Sequence, residues 1–131
     1  MAEFSWDHTH IKTYDVRGAA TWFQDKLGAS AAQGTSVTDD RADLVIGGGR
    51  VLVTQVKQGD GTNPTPTIPY AGFEHFGLGV RDLDKVAAEL KAKGVEFTRE
   101  PVTPRPGIRI CFIRSPQGIS VELLERDAKY V

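Results

Sequence analysis

The sequence predicts an α+β fold of two tandem β-α-β-β-β modules, and three observations predict it. HTHIKTYD (8–15) and HFGLGVRD (75–82) each run from a His to an Asp seven positions later, and the second copy lies 67 positions after the first. Each Asp precedes a stretch with apolar residues three or four apart, and each such stretch is followed by strand-like runs around a turn. Between the copies, QGDGTNPTPTIPYAG (58–72) carries three prolines and three glycines, the composition of a surface connector.

The elements follow in order. DHTHIKTYD (7–15) alternates His8, His10, Lys12 and Tyr14 with Thr9, Ile11 and Thr13, so as a strand it has one face of polar groups. Asp15 and Asp82 are expected N-caps. The helices they start carry Ala20, Phe23 and Leu27 in the first copy and Val86, Ala87 and Leu90 in the second. Gly28 and Gly94 end them, with Lys26 and Lys93 in the last turns, where a cation suits the helix dipole. ADLVI and RVLVTQV then flank GGG, while IRICFIR and ISVELLE flank SPQG. The first trailing strand is the weakest, VEFT (95–98) in the second copy. Module one is expected at about 5–57, the connector at 58–72 and module two at 73–126. Each half is too small to bury a good core alone, so the two are expected to form one domain over 1–131.

Composition narrows the function. Of 131 residues, 40% are hydrophobic, which fits an ordinary folded core, and sixteen Lys and Arg against seventeen Asp and Glu leave a formal charge of -1. Neither sign forms a run able to grip nucleic acid or an anionic membrane. The start MAEFSWDH lacks a basic region followed by an apolar stretch, and no apolar run approaches the roughly 20 residues of a membrane span. A cytoplasmic protein is expected, with no nucleic-acid and no membrane partner. The single cysteine, Cys111, lies in a strand-like run and is expected to be a buried structural thiol.

With DH…D…LG at the start, EHFGLGVRDLDKVAAELKAKGVEF (74–97) in the middle and SPQGISVELLE (115–125) at the end, the chain resembles the vicinal oxygen chelate superfamily. That superfamily includes glyoxalase I, methylmalonyl-CoA epimerase, fosfomycin and bleomycin resistance proteins and extradiol dioxygenases. The resemblance runs from Asp7 to about Glu125. It implies one cupped mixed sheet with the helices on its convex side and a divalent metal inside the cup, held by a residue from each of four strands. Carried over by position, the ligands fall on His8, His75 and Glu122. For the fourth, the count from His75 to Glu122 (47 positions) applied to His8 gives Gln55, whereas anchoring on the glycines before each strand gives Leu52 or Val53, with Thr54 a further option. Ser115 stands where many relatives have Asp in an RDPxG turn, a place that Ser also suits.

Two imidazoles and a carboxylate suit Zn, Ni, Co, Mn or Fe(II) with positions open for substrate. The resemblance implies a lyase or isomerase of the glyoxalase/epimerase type, acting on a small oxygenated, anionic metabolite through a metal-stabilised enolate. His10 is the first candidate base, since it shares a face with His8, and a weaker one is either a strand neighbour of Gln55 or a displaced Glu122. Lys12, Arg109 and Arg114 are candidate anchors for a substrate anion, and Tyr14 is a candidate proton donor or rim residue. Each of these polar groups also has a plain reading as a solvated strand residue. Trp22 and Phe23 are assigned to packing; Tyr70, Phe73 and Phe76 border the pocket mouth or are buried. Positions matching His10 and Lys12 in the second copy are Gly77 and Gly79, which leave space. The competing reading is a metal-free binding protein of the resistance type; a small ring-cleaving dioxygenase is disfavoured because extradiol enzymes usually carry four modules. A homodimer is expected.

Overall fold

The computed structural model of the chain describes residues 3–130. They form two compact units, the first ending at Asn63 and the second starting at Pro64, inside the connector. Each unit has one β-α-β-β-β module with its own four-stranded mixed sheet. No helix among the described residues is long and apolar enough to cross a membrane.

In the first unit β1 (His8–Thr13) leads into α1 (Val16–Leu27), followed by β2 (Ser30–Ala31), β3 (Arg41–Ile46) and β4 (Gly49–Gln55). The sheet order is β1-β4-β3-β2, with β1 and β4 parallel and the others antiparallel. The Asp15 carboxylate caps α1 by accepting the Gly18 N–H at 2.9 Å. A Cβ added at Gly18 would lie 1.9 Å from Asp15 Oδ2, so a side chain there would make the capping carboxylate shift. Gly28 closes the helix in the left-handed conformation, φ 71°. Helix α1 packs on β3 and β4. Val16, Ala19, Ala20 and Phe23 are buried with Ala42, Leu44, Val51 and Val53 from the two strands, and Trp22 is buried as well. Alternation along β1 puts Thr9, Ile11 and Thr13 on the more buried side and leaves His8, His10 and Lys12 exposed.

The second unit repeats the order: β5 (Phe76–Gly79), α2 (Leu83–Ala92), β6 (Glu96–Arg105), β7 (Ile108–Arg114) and β8 (Ser120–Arg126), followed by a short 3-10 turn, Ala128–Tyr130. Its sheet order is β5-β8-β7-β6. Asp82 caps α2 through the Lys85 N–H. Leu83, Ala87 and Leu90 of α2 are buried with Cys111, Ile113, Val121 and Leu123. Where the sequence predicts a weak strand at 95–98, β6 runs for ten residues, and irregularities in its pairing with β7 shift the register three times. Ser115, nearly fully buried, accepts the N–H groups of Gln117 and Ile119, each at 3.3 Å, which is the turn role expected for it.

Candidate functional site

In the second unit two residues 47 positions apart meet: His75 Nε2 lies 3.2 Å from Glu122 Oε1. On its other edge, His75 Nδ1 is 2.9 Å from Glu74 Oε1. The imidazole also packs edge-to-face on Phe112, with ring centroids 4.8 Å apart. Register explains the meeting. Gly77 pairs with Glu122, Glu122 with Phe112 and Phe112 with Arg99, so one cross-strand row crosses the whole sheet. A Cβ on Gly77 would make ordinary van der Waals contact with Leu124 at 3.4 Å and with Glu122 Oε1 at 4.0 Å.

The donor set can be tested against a cation. A neutral imidazole has a single N–H; if Nδ1–H donates to Glu74, Nε2 turns a lone pair toward a carboxylate oxygen. Two acceptors facing each other are reconciled by a second ring proton or by a cation shared between them. Imidazole nitrogen with carboxylate oxygen suits a divalent transition metal, and a carboxylate on the far ring nitrogen orients such a ligand. The pair therefore fits a metal, although no group of three or more His, Cys, Asp or Glu side chains forms a metal site among the described residues.

In the first unit the same local device recurs, with His8 Nδ1 2.6 Å from Asp7 Oδ1. The acidic residue before each His is the feature that sequence reasoning missed, although DH and EH are both plain in the chain. Next along the strand, the His10 ring lies 6.2 Å from that of His8, and His10 Nε2 is 2.7 Å from Thr54 Oγ1. Burial, and then the positive charges of Lys12, His8 and Arg41, hold the His10 pKa below its ordinary value. Lys12 pairs in register with Thr54 and is exposed, and Tyr14, just past the strand, is 63% exposed.

Gln55 is corrected by register. In the second unit the residue opposite Gly77 is Glu122; in the first, the residue opposite His10, the counterpart of Gly77, is Leu52. Gln55 instead pairs with Thr13, and strand alternation puts it on the side of the buried Val51 and Val53. The first unit thus offers no carboxylate or amide at the position matched to Glu122. Thr54, which was a further option, is engaged with His10.

Arg109 is corrected as well. It alternates with Cys111 and Ile113 onto the side covered by α2, where its guanidinium grips Asp84 at 2.8 and 3.0 Å and Thr103 Oγ1 at 3.1 Å. Its hydrogen bonds to Asp84 lower the carboxyl pKa and raise that of the guanidinium. Arg109→Gln is therefore expected to leave ligand and metal binding unchanged while slightly lowering the thermal midpoint, checked by titration and thermal denaturation. Loss of binding would return Arg109 to the site.

Arg114 does share the face of Phe112, but it is bound to Glu96 at 2.6 and 2.5 Å. Both border a groove of about 740 Å³, which is also walled by Ile68, Pro69, Glu74, Arg99, Phe112 and Ser120. Its volume suits a small organic molecule. Glu74 and Phe112, which both touch His75, form part of the groove's wall, while His75 and Glu122 themselves do not. Tyr70 donates its hydroxyl to the Phe73 carbonyl at 3.0 Å, and Phe73 is 65% exposed.

Cys111 plays no part in this site. Fully buried, its thiol is pushed up to about 11, chiefly by desolvation. At pH 8 roughly one thiol in a thousand would then be thiolate. Ellman's reagent is expected to label the native protein very slowly and the guanidinium-unfolded protein at once; fast native labelling would contradict the burial.

Comparison with known proteins decides the family. The model described as the Glyoxalase/Bleomycin resistance protein/Dioxygenase superfamily matches residues 5–123. The chain belongs to this superfamily. Within the superfamily it is similar to the Arabidopsis thaliana "Probable lactoylglutathione lyase, chloroplastic", 47% identical over 57 residues that make up 43% of this chain and 16% of that protein. It is also similar to the Synechocystis sp. "Probable lactoylglutathione lyase", 34% identical over 59 residues, 44% of this chain and 45% of that protein. The matched stretches thus span less than half the length of these curated relatives. A crystal structure of the glyoxalase family protein from Enterococcus faecalis shares the fold, with a TM-score of 0.75 at 22% identity, covering 95% of this chain and all of that one.

Proposed function

We propose that the protein is a divalent-metal-dependent lyase or isomerase of the glyoxalase/epimerase type, acting on a small oxygenated anion. The observation that carries this reading is the 3.2 Å approach of His75 Nε2 to Glu122 Oε1, with Glu74 orienting the other ring nitrogen and a groove alongside. The named relatives support the lyase side of the proposal.

In this reading His75 and Glu122 are the ligands within the second unit, and His8, the repeat counterpart of His75 with its own carboxylate partner, is a candidate ligand within the first unit. When bound, the cation supplies Lewis-acid polarisation of a substrate carbonyl, which makes the neighbouring C–H more acidic. The chain supplies the rest. His10, fixed by Thr54, is the candidate base of the first module, and Glu122 is the second candidate. Phe112 and the connector residues Ile68 and Pro69 supply apolar wall to the groove.

The test is metal content by inductively coupled plasma mass spectrometry on tag-free protein, followed by solvent-deuterium exchange at the carbon next to the carbonyl in 2-oxo acids, hemithioacetals and acyl thioesters. About one metal per chain together with metal-dependent exchange is the expected result. No metal even after reconstitution would overturn it, leaving a metal-free binding protein.

A further inference from the structure

We propose that the groove of the second unit selects an organic monoanion whose carboxylate is separated from the reacting oxygens by an apolar body, an aryl ring or a medium-length alkyl chain. Arg99 is the residue that reads the charge. The proposal places the reacting end at the His75–Glu122 pair, and to that extent it rests on the function proposed above.

Charge accounting singles out Arg99. Among the groove's charged side chains, Glu74 is held by His75, and Arg114 and Glu96 hold each other. Arg99 makes no ion pair and no side-chain hydrogen bond among the described residues, and it borders the groove. A guanidinium in that state is a bidentate site for a carboxylate. Arg99 is therefore the one guanidinium bordering the groove that is left without a carboxylate, which suits a ligand bearing one.

Register sets the spacing. Arg99, Phe112 and Glu122 stand side by side on β6, β7 and β8. Two strand spacings separate the first from the last, roughly 10 Å. A carboxylate on Arg99 and a carbonyl at Glu122 must therefore be joined across Phe112, whose ring forms the floor between them. Ile68 and Pro69 of the connector add apolar wall. A short 2-oxo acid, with carboxylate and carbonyl on adjacent carbons, cannot reach both ends. The β6 irregularity between Phe97 and Arg99 contributes as well: it brings Arg99 opposite Phe112, whereas unbroken pairing from Phe97 with Ile113 would place Arg99 opposite Cys111 on the helix side.

The experiment uses metal-free full-length protein, so that it does not depend on the metal. 4-Phenylbutyrate, 4-phenylbutanol and acetate are titrated by calorimetry, and the bound position is mapped by amide chemical shifts. Expected are a dissociation constant for the acid roughly tenfold or more below that of the alcohol, little binding of acetate, and shifts along Gly77, Glu122, Phe112 and Arg99. Arg99→Gln should erase the preference for acid over alcohol and keep the alcohol's affinity, while Arg109→Gln should change neither. Equal binding of acid and alcohol, an unaltered preference in Arg99→Gln, or shifts elsewhere on the surface would overturn the assignment. Metal content is measured separately. Acid binding through Arg99 in a protein that takes no metal would sink the proposed enzyme and leave the groove assignment standing; one metal per chain with no acid preference would do the reverse.

Discussion

His75→Ala is expected to abolish stoichiometric divalent-metal binding, and Glu74→Gln to weaken it roughly 10–100-fold, with both variants folded by circular dichroism. The two substitutions separate two roles. Alanine removes the nitrogen that faces Glu122 at 3.2 Å, and a lone carboxylate holds a transition metal poorly. Glutamine leaves both donor atoms in place and removes only the negative charge that accepts from Nδ1 at 2.9 Å. The imidazole is then freer to rotate and is a poorer donor at Nε2. Cobalt(II) titration against a chelator of known affinity would measure both. Wild-type affinity in Glu74→Gln would show that Phe112 alone orients the ring; retained metal in His75→Ala would remove His75 from the ligand set. Asp7→Asn applies the same test to His8, where the partner lies 2.6 Å away.

Much of this site was legible because it depends on short periods. The 67-residue offset between His8 and His75, the capping Asp residues and the strand alternation follow from local chemistry, and β1, α1 and the SPQG turn form where that chemistry puts them. Pairing register was less accessible. The reading of Gln55 counted residues through a hairpin, but the turn is shorter in the first module, where Ile46 pairs with Gly49, than around Ser115–Ile119 in the second. Leu52 therefore takes the place matched to Glu122. Arg109 and Arg114 had equal claims in sequence, being five apart on one strand, and an odd separation must send one of them to each face. Only the neighbours decide which: Asp84 on α2 fixes Arg109, and Glu96 on β6 fixes Arg114. Arg99 was passed over for a related reason, since its face follows from an irregularity in β6 that no periodicity reports.

Phe23→Ala should cost about 3–5 kcal/mol of stability, while Phe4→Ala in the same unit should stay within about 0.5 kcal/mol. Phe23 is completely buried, and Phe4 is 89% exposed. The first substitution leaves a ring-sized void between α1 and the sheet and removes the edge-to-face contact with Trp22, whose ring centroid is 5.1 Å away. The second exposes little that water does not already reach. Urea denaturation with a common slope would give both values, and equal midpoints for the two variants would contradict the packing described for α1. The consequence reaches the candidate site. Phe23 supports β3 and β4 from the helix side, and β4 is the strand whose Thr54 fixes His10 and to which β1 is paired. Loosening that support is expected to weaken the His10–Thr54 hydrogen bond before the unit unfolds, seen as faster amide exchange in β1 than in α2, which belongs to the other unit.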